Sequence, residues 1–545
     1  MPVITWIGKD KVVNHDKELP FRVLKPVKEL SVGENSENLL IEGDNLEALK
    51  ALMPFYYDKV NCIYIDPPYN TGNEKWAYND KVNSPTMKRW LNKVVGSDDL
   101  ERHDKWLCMM YPRLKLLRDL LSEEGVILIS INDYENSNLL FILNEIFGEK
   151  NYLATFIWNT EGNIDNSSKI KTNHEYVHAY CKNKEMFKSP RVIDPNIDET
   201  SKLFNEEIKN TITKNGPKNP PSKVVLPIGF PAELKNGTIR KNQHEYPKLS
   251  EDVIVKDSKI TSQVEVESGW SSKNLLLLFI QNHFHPIVDS QGKETVFKIT
   301  NTGAIYTYKK RQENQHHVLS VLRNLGTTQQ SSRILSSLEL NFDYPKPIGL
   351  IKYLVSVFTP EKHGIVLDSF AGSGTTGHAV LELNQEDGGD REFILIELEN
   401  EIAENVTANR LKKVIEGYSS GLFPSGTRQG FKYLDLNGEL YDYSGYVNPD
   451  AKYEDMAAYI YFTETQNYLD ISTIKNPLVG SQGSTHYFLF FKDKGNNILD
   501  EKTLKKTDGY KGTKVIYADK CLLDEEFLAK HGVVFKQIPY ELKKY

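Results

Sequence analysis

Two strand–turn–helix–strand units, about 300 residues apart, constrain what this 545-residue chain can fold into. In the first, residues 39–42 read as a strand and Gly43-Asp44-Asn45 as a turn. A helix follows from about Leu46, and residues 60–65 form the next strand. In the second, residues 364–368 are a strand and Ser369 to Gly377 a Gly-rich turn. A helix runs to about Leu383, and residues 393–396 form a strand ending at Glu397. Parallel neighbours need a crossover of this length, so each unit is a βαβ motif. The strands are near-continuous apolar runs, as in sheets covered on both faces. The expected class is α/β, with one mostly parallel, Rossmann-like sheet built from both units.

The first unit ends in Asp66-Pro67-Pro68-Tyr69. Neither proline can donate a ladder hydrogen bond, so sheet pairing stops there. An acid, two rigid residues and an aromatic ring are held at the carboxyl end of a strand. That is the edge where open α/β sheets bind ligands. A carboxylate and backbone carbonyls beside a stacking ring suit a flat substrate that carries an amino group. The plain alternative is a strand exit with a turn aspartate. In the same way, Asp44 or Asn45 can simply cap the helix that follows. After Gly72, a long polar stretch with Trp76, Tyr78 and Trp90 reads as a loop over the Asp66 crevice. Leucines at helical spacing predict a helix over 106–121, stopped by Gly125. A strand at 126–131, a helix at 139–147 closed by Gly148, and paired strands at 153–158 and 175–181 come next. His174, where the last strand begins, reads as a surface or capping residue.

Gly372-Ser373-Gly374-Thr375-Thr376-Gly377 satisfies G-x-G-x-x-G, and Glu397 lies twenty residues past the last glycine. Spacing alone matches a dinucleotide fingerprint. Two details point elsewhere. Asp368 puts a carboxylate toward the turn where a pyrophosphate would sit, and no Gly-Lys-[Ser/Thr] follows to cradle a nucleoside triphosphate. Two acids around a Gly-rich turn suit a cationic adenosyl ligand. Glu397 would accept from ribose hydroxyls. The Gly372 and Gly374 backbone would let the amino-acid part approach closely, and Asp44 would receive the adenine amino group. S-adenosylmethionine meets these demands, and a dehydrogenase stays open as the competing reading.

Net charge is −7, so a nucleic-acid partner requires a local basic face. The texture changes at about residue 182, and residues 201–250 carry nine Lys/Arg against four Asp/Glu. The same region holds Lys309-Lys310-Arg311 and runs to about 335. Residues 1–37 are expected to be an irregular arm, 416–430 a Gly/Ser-rich linker, and 431–545 an α+β domain of short strands and helices. Four widely spaced cysteines indicate neither zinc nor a disulfide framework and fit reduced thiols, hence a cytoplasmic protein. The N-terminus does not read as a signal peptide, and the longest apolar run, 275–280, is too short to span a bilayer.

Asp66-Pro67-Pro68-Tyr69 with Phe370-Ala371-Gly372-Ser373-Gly374 resembles the paired signatures of the DNA amino-methyltransferases. The catalytic motif precedes the cofactor motif, a circularly permuted order that resembles the beta class. Residues 43–49, Tyr344-Pro345-Lys346-Pro347 and residues 378–391 resemble the modification (Mod) subunits of type III restriction–modification systems. The resemblance is close over 38–182 and 340–415 and loose elsewhere. It implies an adenine-N6 methyltransferase of double-stranded DNA, with Asp66, Pro67, Pro68 and Tyr69 catalytic and no metal. It implies S-adenosyl-L-methionine as cofactor, held by Asp44, Asn45, Lys346 and Pro347 on one side. On the other side stand Asp368, Phe370, Ala371, Gly372, Ser373, Gly374, Thr375, Thr376 and Glu397. The catalytic half would be 38–182 and the cofactor half 336–430. Residues 183–335 would be an inserted target-recognition domain, with Lys309, Lys310 and Arg311 on DNA. A homodimer with contacts from 431–545, and a helicase–nuclease restriction partner, belong to the same picture. Cytosine-N4 or RNA methylation by the same fold, or a non-catalytic DNA-binding subunit, are the alternatives. Asp rather than Ser before the two prolines favours adenine in this family.

Overall fold

A computed structural model describes residues 4–33, 36–71, 102–160, 169–190, 192, 194–197, 201, 207–241, 245–290, 292–310, 317–418, 421–427, 429–492 and 496–542. A ten-stranded sheet organises it. Its strands are β1 (Phe21–Pro26), β2 (Leu39–Glu42), β3 (Val60–Ile65), β4 (Leu121–Ile131) and β5 (Tyr152–Asn159). They continue with β6 (His174–Cys181), β7 (Val321–Leu322), β8 (His363–Asp368), β9 (Asp390–Glu397) and β10 (Lys432–Tyr441). The spatial order is β1-β10-β2-β9-β8-β3-β4-β6-β5-β7. From β10 through β4 all neighbours are parallel. β1 and β6 flank that block antiparallel, β5 is antiparallel to β6, and β7 is parallel to β5.

Side chains of successive strand residues point to opposite faces. Ile63 and Ile65 of β3, with Ile394 and Ile396 of β9, join one core, while Cys62, Tyr64, Phe393 and Leu395 join the other. The first core is covered by α1 (Asn45–Tyr56), α2 (Arg102–Leu120) and α3 (Asn136–Leu143). The second is covered by α4 (Ile348–Phe358), α5 (Thr375–Asp387) and α6 (Asn409–Glu416). Burial on both faces is why the strands carry no polar alternation.

The connections explain where a ligand goes. From β3 the chain crosses through α2 to β4 on one side, and from β8 it crosses through α5 to β9 on the other. β3 and β8 are neighbours, with Leu367 opposite Ile63. The strand order therefore reverses between them, which opens a crevice at their carboxyl ends. Asp66 leaves β3 and Asp368 ends β8 at that point.

Several boundaries differ from expectation. Within 1–37, expected to be an irregular arm, β1 pairs with β10 and buries Phe21, Val23 and Leu24. β10 begins just past the expected linker and lies parallel to β2, so the sheet extends into the segment expected to be a separate C-terminal domain. Phe21, Val23, Leu440 and Tyr441 share a core with Met456, Ile460, Val479 and Tyr487. The rest of that segment forms a four-stranded sheet from Leu478–Gln482, Thr485–Leu489, Thr513–Ala518 and Val533–Gln537, parallel among the last three. Gly125 lies inside β4 rather than ending α2, and α3 stops at Leu143, followed by a π turn to Gly148.

The chain groups into two compact units, one of residues 1–192 and 318–545 and one of Ile193–His317, narrower than the expected insertion of 183–335. The second unit has short antiparallel sheets, the helix Lys273–Gln281, and its own core around Phe230, Phe279 and Phe297. Among the described residues, no helix is long and apolar enough to cross a membrane.

Candidate active site

The two prolines after β3 turn the chain across the sheet edge, and α2 fixes it there. Trp106 Nε1 donates to the Pro68 carbonyl at 2.7 Å. Asn70, in the left-handed region at φ 56°, donates to the Arg102 carbonyl and to Glu135. Glu135 is buried and also meets His103 Nδ1 and Asn138 Nδ2, each at 2.7 Å. The motif is thus held from below by α2 and α3.

Above it sits a cluster of four groups. Lys346 Nζ donates to Asp66 Oδ2 at 2.7 Å and lies 3.4 Å from Glu175 Oε2. The same ammonium is 4.9 Å from the centroid of the Tyr69 ring, and the Tyr69 hydroxyl donates to Glu175 at 2.8 Å. Burial works against the Lys346 charge, but the Asp66 and Glu175 carboxylates outweigh it and raise its pKa. Burial, then the charges of Asp66 and Glu175, push the Tyr69 phenol well up. Asp66 Oδ1 is buried and has no hydrogen-bond partner among the described residues.

Lys346, expected on the cofactor, bonds the Asp66 carboxylate in this structure. Tyr69, expected to stack on the substrate ring, is 8% exposed with an ammonium over one face. Glu175 was not expected at all. Its signal lay in topology: β6 runs antiparallel to β4, with Tyr176 opposite Ile131, so β6 begins at the edge where β3 and β4 end. His174, beside it, meets the Tyr176 hydroxyl at 3.0 Å.

The Gly-rich turn is held by hydrogen bonds from its own and neighbouring side chains. Asp368 Oδ1 accepts from the Phe370 amide at 3.0 Å and Oδ2 from the Thr376 hydroxyl at 2.6 Å. Burial raises the Asp368 carboxyl to about 7, against those two hydrogen bonds and with help from the charges of Asp66 and Glu397. Arg410 of α6, fully buried, donates to the Ser373 carbonyl and hydroxyl and to the Thr375 hydroxyl at 2.9–3.1 Å. The side chains of Asp368, Ser373, Thr375 and Thr376, all expected around the cofactor, are bonded within the turn or to Arg410. Arg410 gave one signal, a cation on the buried face of an amphipathic helix, shared with Leu411 and Val414.

Gly372 has φ 51° and donates its amide to Glu397 Oε2 at 2.8 Å, while Oε1 accepts from the Glu399 amide at 3.1 Å. Gly374 has φ 76°, and a Cβ there would meet Thr407 Cγ2 at 2.9 Å. Ala371 is buried and bonds the Ile396 carbonyl, and half-buried Phe370 packs on the first core. Ser369 Oγ is buried at the same edge without a partner among the described residues. Asp44 caps α1, accepting from the Leu46 and Glu47 amides at 2.9 and 3.3 Å. Asn45 donates to the Ser369 carbonyl at 3.0 Å and accepts from Arg113 Nε, so it ties α1 to the turn. Pro347 precedes the first residue of α4 and packs beside Gly326.

In the second unit, Lys309 is paired with the buried Asp289 and is not a free cation for DNA. Lys310 is exposed at the end of its strand. Arg311 and the loop with Trp76, Tyr78 and Trp90 lie outside the described residues.

Comparison with known proteins agrees with this geometry. Residues 60–409 match the N6/N4 methyltransferase family, described as DNA methylase. The chain is 32% identical over 432 residues to the EcoPI Mod subunit of a type III restriction-modification enzyme from Escherichia phage P1, covering 75% of this chain and 62% of that one. It is 28% identical over 441 residues to the type II methyltransferase M.KpnI of Klebsiella pneumoniae, covering 78% of this chain and 92% of M.KpnI. The structure of a putative DNA modification methylase of Thermus thermophilus, complexed with S-adenosyl-L-methionine, aligns over 73% of this chain and 100% of that one at 13% identity and a TM-score of 0.32. The chain spans about three-fifths of the length of the Mod subunits it matches. The family match runs through Asp66–Tyr69, Glu175, Lys346 and the Gly372–Gly374 turn, and the chain belongs to the N6/N4 DNA methylase family.

Proposed function

We propose that this protein transfers a methyl group from S-adenosyl-L-methionine to the N6 amino group of adenine in double-stranded DNA, as the modification subunit of a type III-like system. The observation that carries the reading is Asp66 Oδ1, an acceptor buried in the crevice without a partner among the described residues. A buried acceptor of that kind calls for a donor, and an exocyclic amine supplies one. The base must leave the duplex to reach it, at a cost of a few kcal/mol. Asp66 Oδ1 and the Pro67 carbonyl would accept the two amine hydrogens, which draws the nitrogen lone pair out of the ring and toward the methyl group. As the new N–C bond forms, one of those protons leaves the nitrogen along its hydrogen bond to Asp66 Oδ1 and passes on to water.

The residues present fit the cofactor. Gly372 and Gly374 carry no Cβ at the turn, the Glu397 carboxylate stands beside it on the Gly372 amide, and buried Ser369 Oγ lacks a partner among the described residues. Bound there, S-adenosyl-L-methionine would supply a methyl group on a sulfonium, whose C–S electron pair stays with sulfur. The chain's own contribution is positioning and a fixed carboxylate.

Incubating the protein with tritiated cofactor and unmodified DNA, then digesting to nucleosides, tests the reading. Label in N6-methyldeoxyadenosine is expected; label in N4-methyldeoxycytidine, or none, overturns the adenine assignment. Asp66→Asn should lose about 10²–10³-fold in kcat with cofactor affinity unchanged. The similarity to Mod subunits supports a homodimer and a helicase–nuclease partner. The 92% coverage of M.KpnI favours a second reading, a type II-like methyltransferase. Co-purification of a restriction subunit from the native host separates the two.

A further inference from the structure

Lys346 lies 280 residues beyond Asp66 in the chain, just before α4, and it belongs to neither the catalytic motif nor the Gly-rich turn. Its side chain is only 11% exposed, yet among the described residues it bonds no backbone group or Gly-rich-turn residue. Both of its ion-pair partners are carboxylates at the catalytic edge, Asp66 on the β3 exit and Glu175 on β6. Among the described residues it is the cation bonded to either of them.

The two oxygens of Asp66 are treated differently. Oδ2 takes the ammonium at 2.7 Å, and Oδ1 is buried with no partner among the described residues. A carboxylate held at one oxygen by a charge-assisted hydrogen bond has its plane fixed, so the other oxygen keeps one direction. Remove the cation and Asp66 faces Glu175 directly. Like charges then repel, and the carboxylate is free to turn its acceptor away. Pro347 and α4 anchor the backbone beside Lys346, because α4 is packed into the second core through Leu350, Ile351 and Leu354. The cation is therefore delivered from a rigid element, as a fixed acceptor requires.

We propose that Lys346 is a positioning residue for methyl transfer: it pins Asp66 through Oδ2 so that Oδ1 stays turned toward the substrate amine. Glu175 holds the other side of the ammonium and, through the Tyr69 hydroxyl, fixes the ring on which the ammonium rests. The assignment rests on the reading of this crevice as an amino-methyltransferase site, and it removes Lys346 from the cofactor contacts.

Steady-state transfer of tritiated methyl to DNA by the full chain tests it, beside calorimetric titration of S-adenosyl-L-methionine and a melting curve for each variant. Lys346→Met is expected to lose kcat about 100-fold, with KM for DNA and cofactor affinity within about threefold of wild type. Lys346→Arg keeps a cation and should recover to within about tenfold of the wild-type kcat. Should Lys346→Met fail to fold, Lys346→Gln replaces it under the same criteria. An unchanged or increased kcat in the neutral variant overturns the proposal, as does Lys346→Arg no better than Lys346→Met. Cofactor affinity weakened more than about tenfold returns Lys346 to the cofactor site. A wild-type protein that transfers no methyl group overturns the reading of the crevice and this assignment together, whereas an active wild type with an unaffected variant overturns the assignment alone.

Discussion

Asp368 shows what the fold adds to a residue the sequence singles out. As an acid at a strand end beside a Gly-rich turn, it invited a contact with a ligand. In the folded protein both of its oxygens are taken by the Phe370 amide and the Thr376 hydroxyl. Burial then raises its carboxyl to about 7 from an ordinary value of 3.8. The folded state therefore binds a proton that the unfolded chain releases at lower pH. Its contribution to stability is fully present below the unfolded value of 3.8 and is lost as pH rises through about 7. Three pKa units correspond to about 4 kcal/mol. Asp368→Asn should lack this loss, so its stability relative to wild type should rise between pH 4 and pH 8 by a large part of that amount. Urea unfolding midpoints at the two pH values check it, and a pH-independent difference would mean that the carboxyl is not held up by burial. His378 opposes this slope in the wild type. Burial lowers its imidazole to about 4, so stability falls as pH drops below 6.5. Comparing the variant with wild type cancels that second contribution.

At the scale of elements, the interior strands were legible because period and burial agree. Runs such as residues 60–65 and 364–368 are apolar on both faces, and only a doubly covered sheet accepts that. The edge strands were not legible. β1 reads Phe-Arg-Val-Leu-Lys-Pro, with charges between its apolar residues, and its place depends on pairing with a strand more than 400 residues away, Phe21 opposite Tyr441. Val23 is 5% exposed and belongs to the core shared with Tyr441 and Met456. Val23→Asp should then cost about 3 kcal/mol, the order expected for a charge buried without a partner. Chemical denaturation measures it directly. A change below about 0.5 kcal/mol, typical of an exposed site, would return residues 1–37 to a loose arm.

For the whole molecule, assembly is the open quantity that the fold bears on. The proposed homodimer rests on similarity to Mod subunits and on a C-terminal region that shares its core with β1 and β10. Light scattering at micromolar concentration should give the mass of two chains, and a monomer mass would remove the dimer from the proposal. The insertion has its own core and its own sheets, so the basic composition of residues 201–250 sits on an independently packed unit. Counting Lys and Arg could not tell which cations are free. Lys309 reads as basic in sequence and is neutralised by Asp289, twenty residues earlier, only once the strands are paired.

The sequence by itself determined the α/β class, the two βαβ units and the acid-Pro-Pro-aromatic and Gly-rich turns at their strand ends. Each depends on local backbone rules: prolines that cannot pair, glycines that accept positive φ, and apolar periodicity. Only the tertiary structure decided which charges meet. Lys346, Glu175 and Asp66 come from three elements far apart in the chain, and Arg410 reaches the Gly-rich turn from a later helix. The physical reason is that an ion pair or a buried hydrogen bond needs a few ångströms of proximity, which strand order and helix packing set, and which spacing along the chain does not encode.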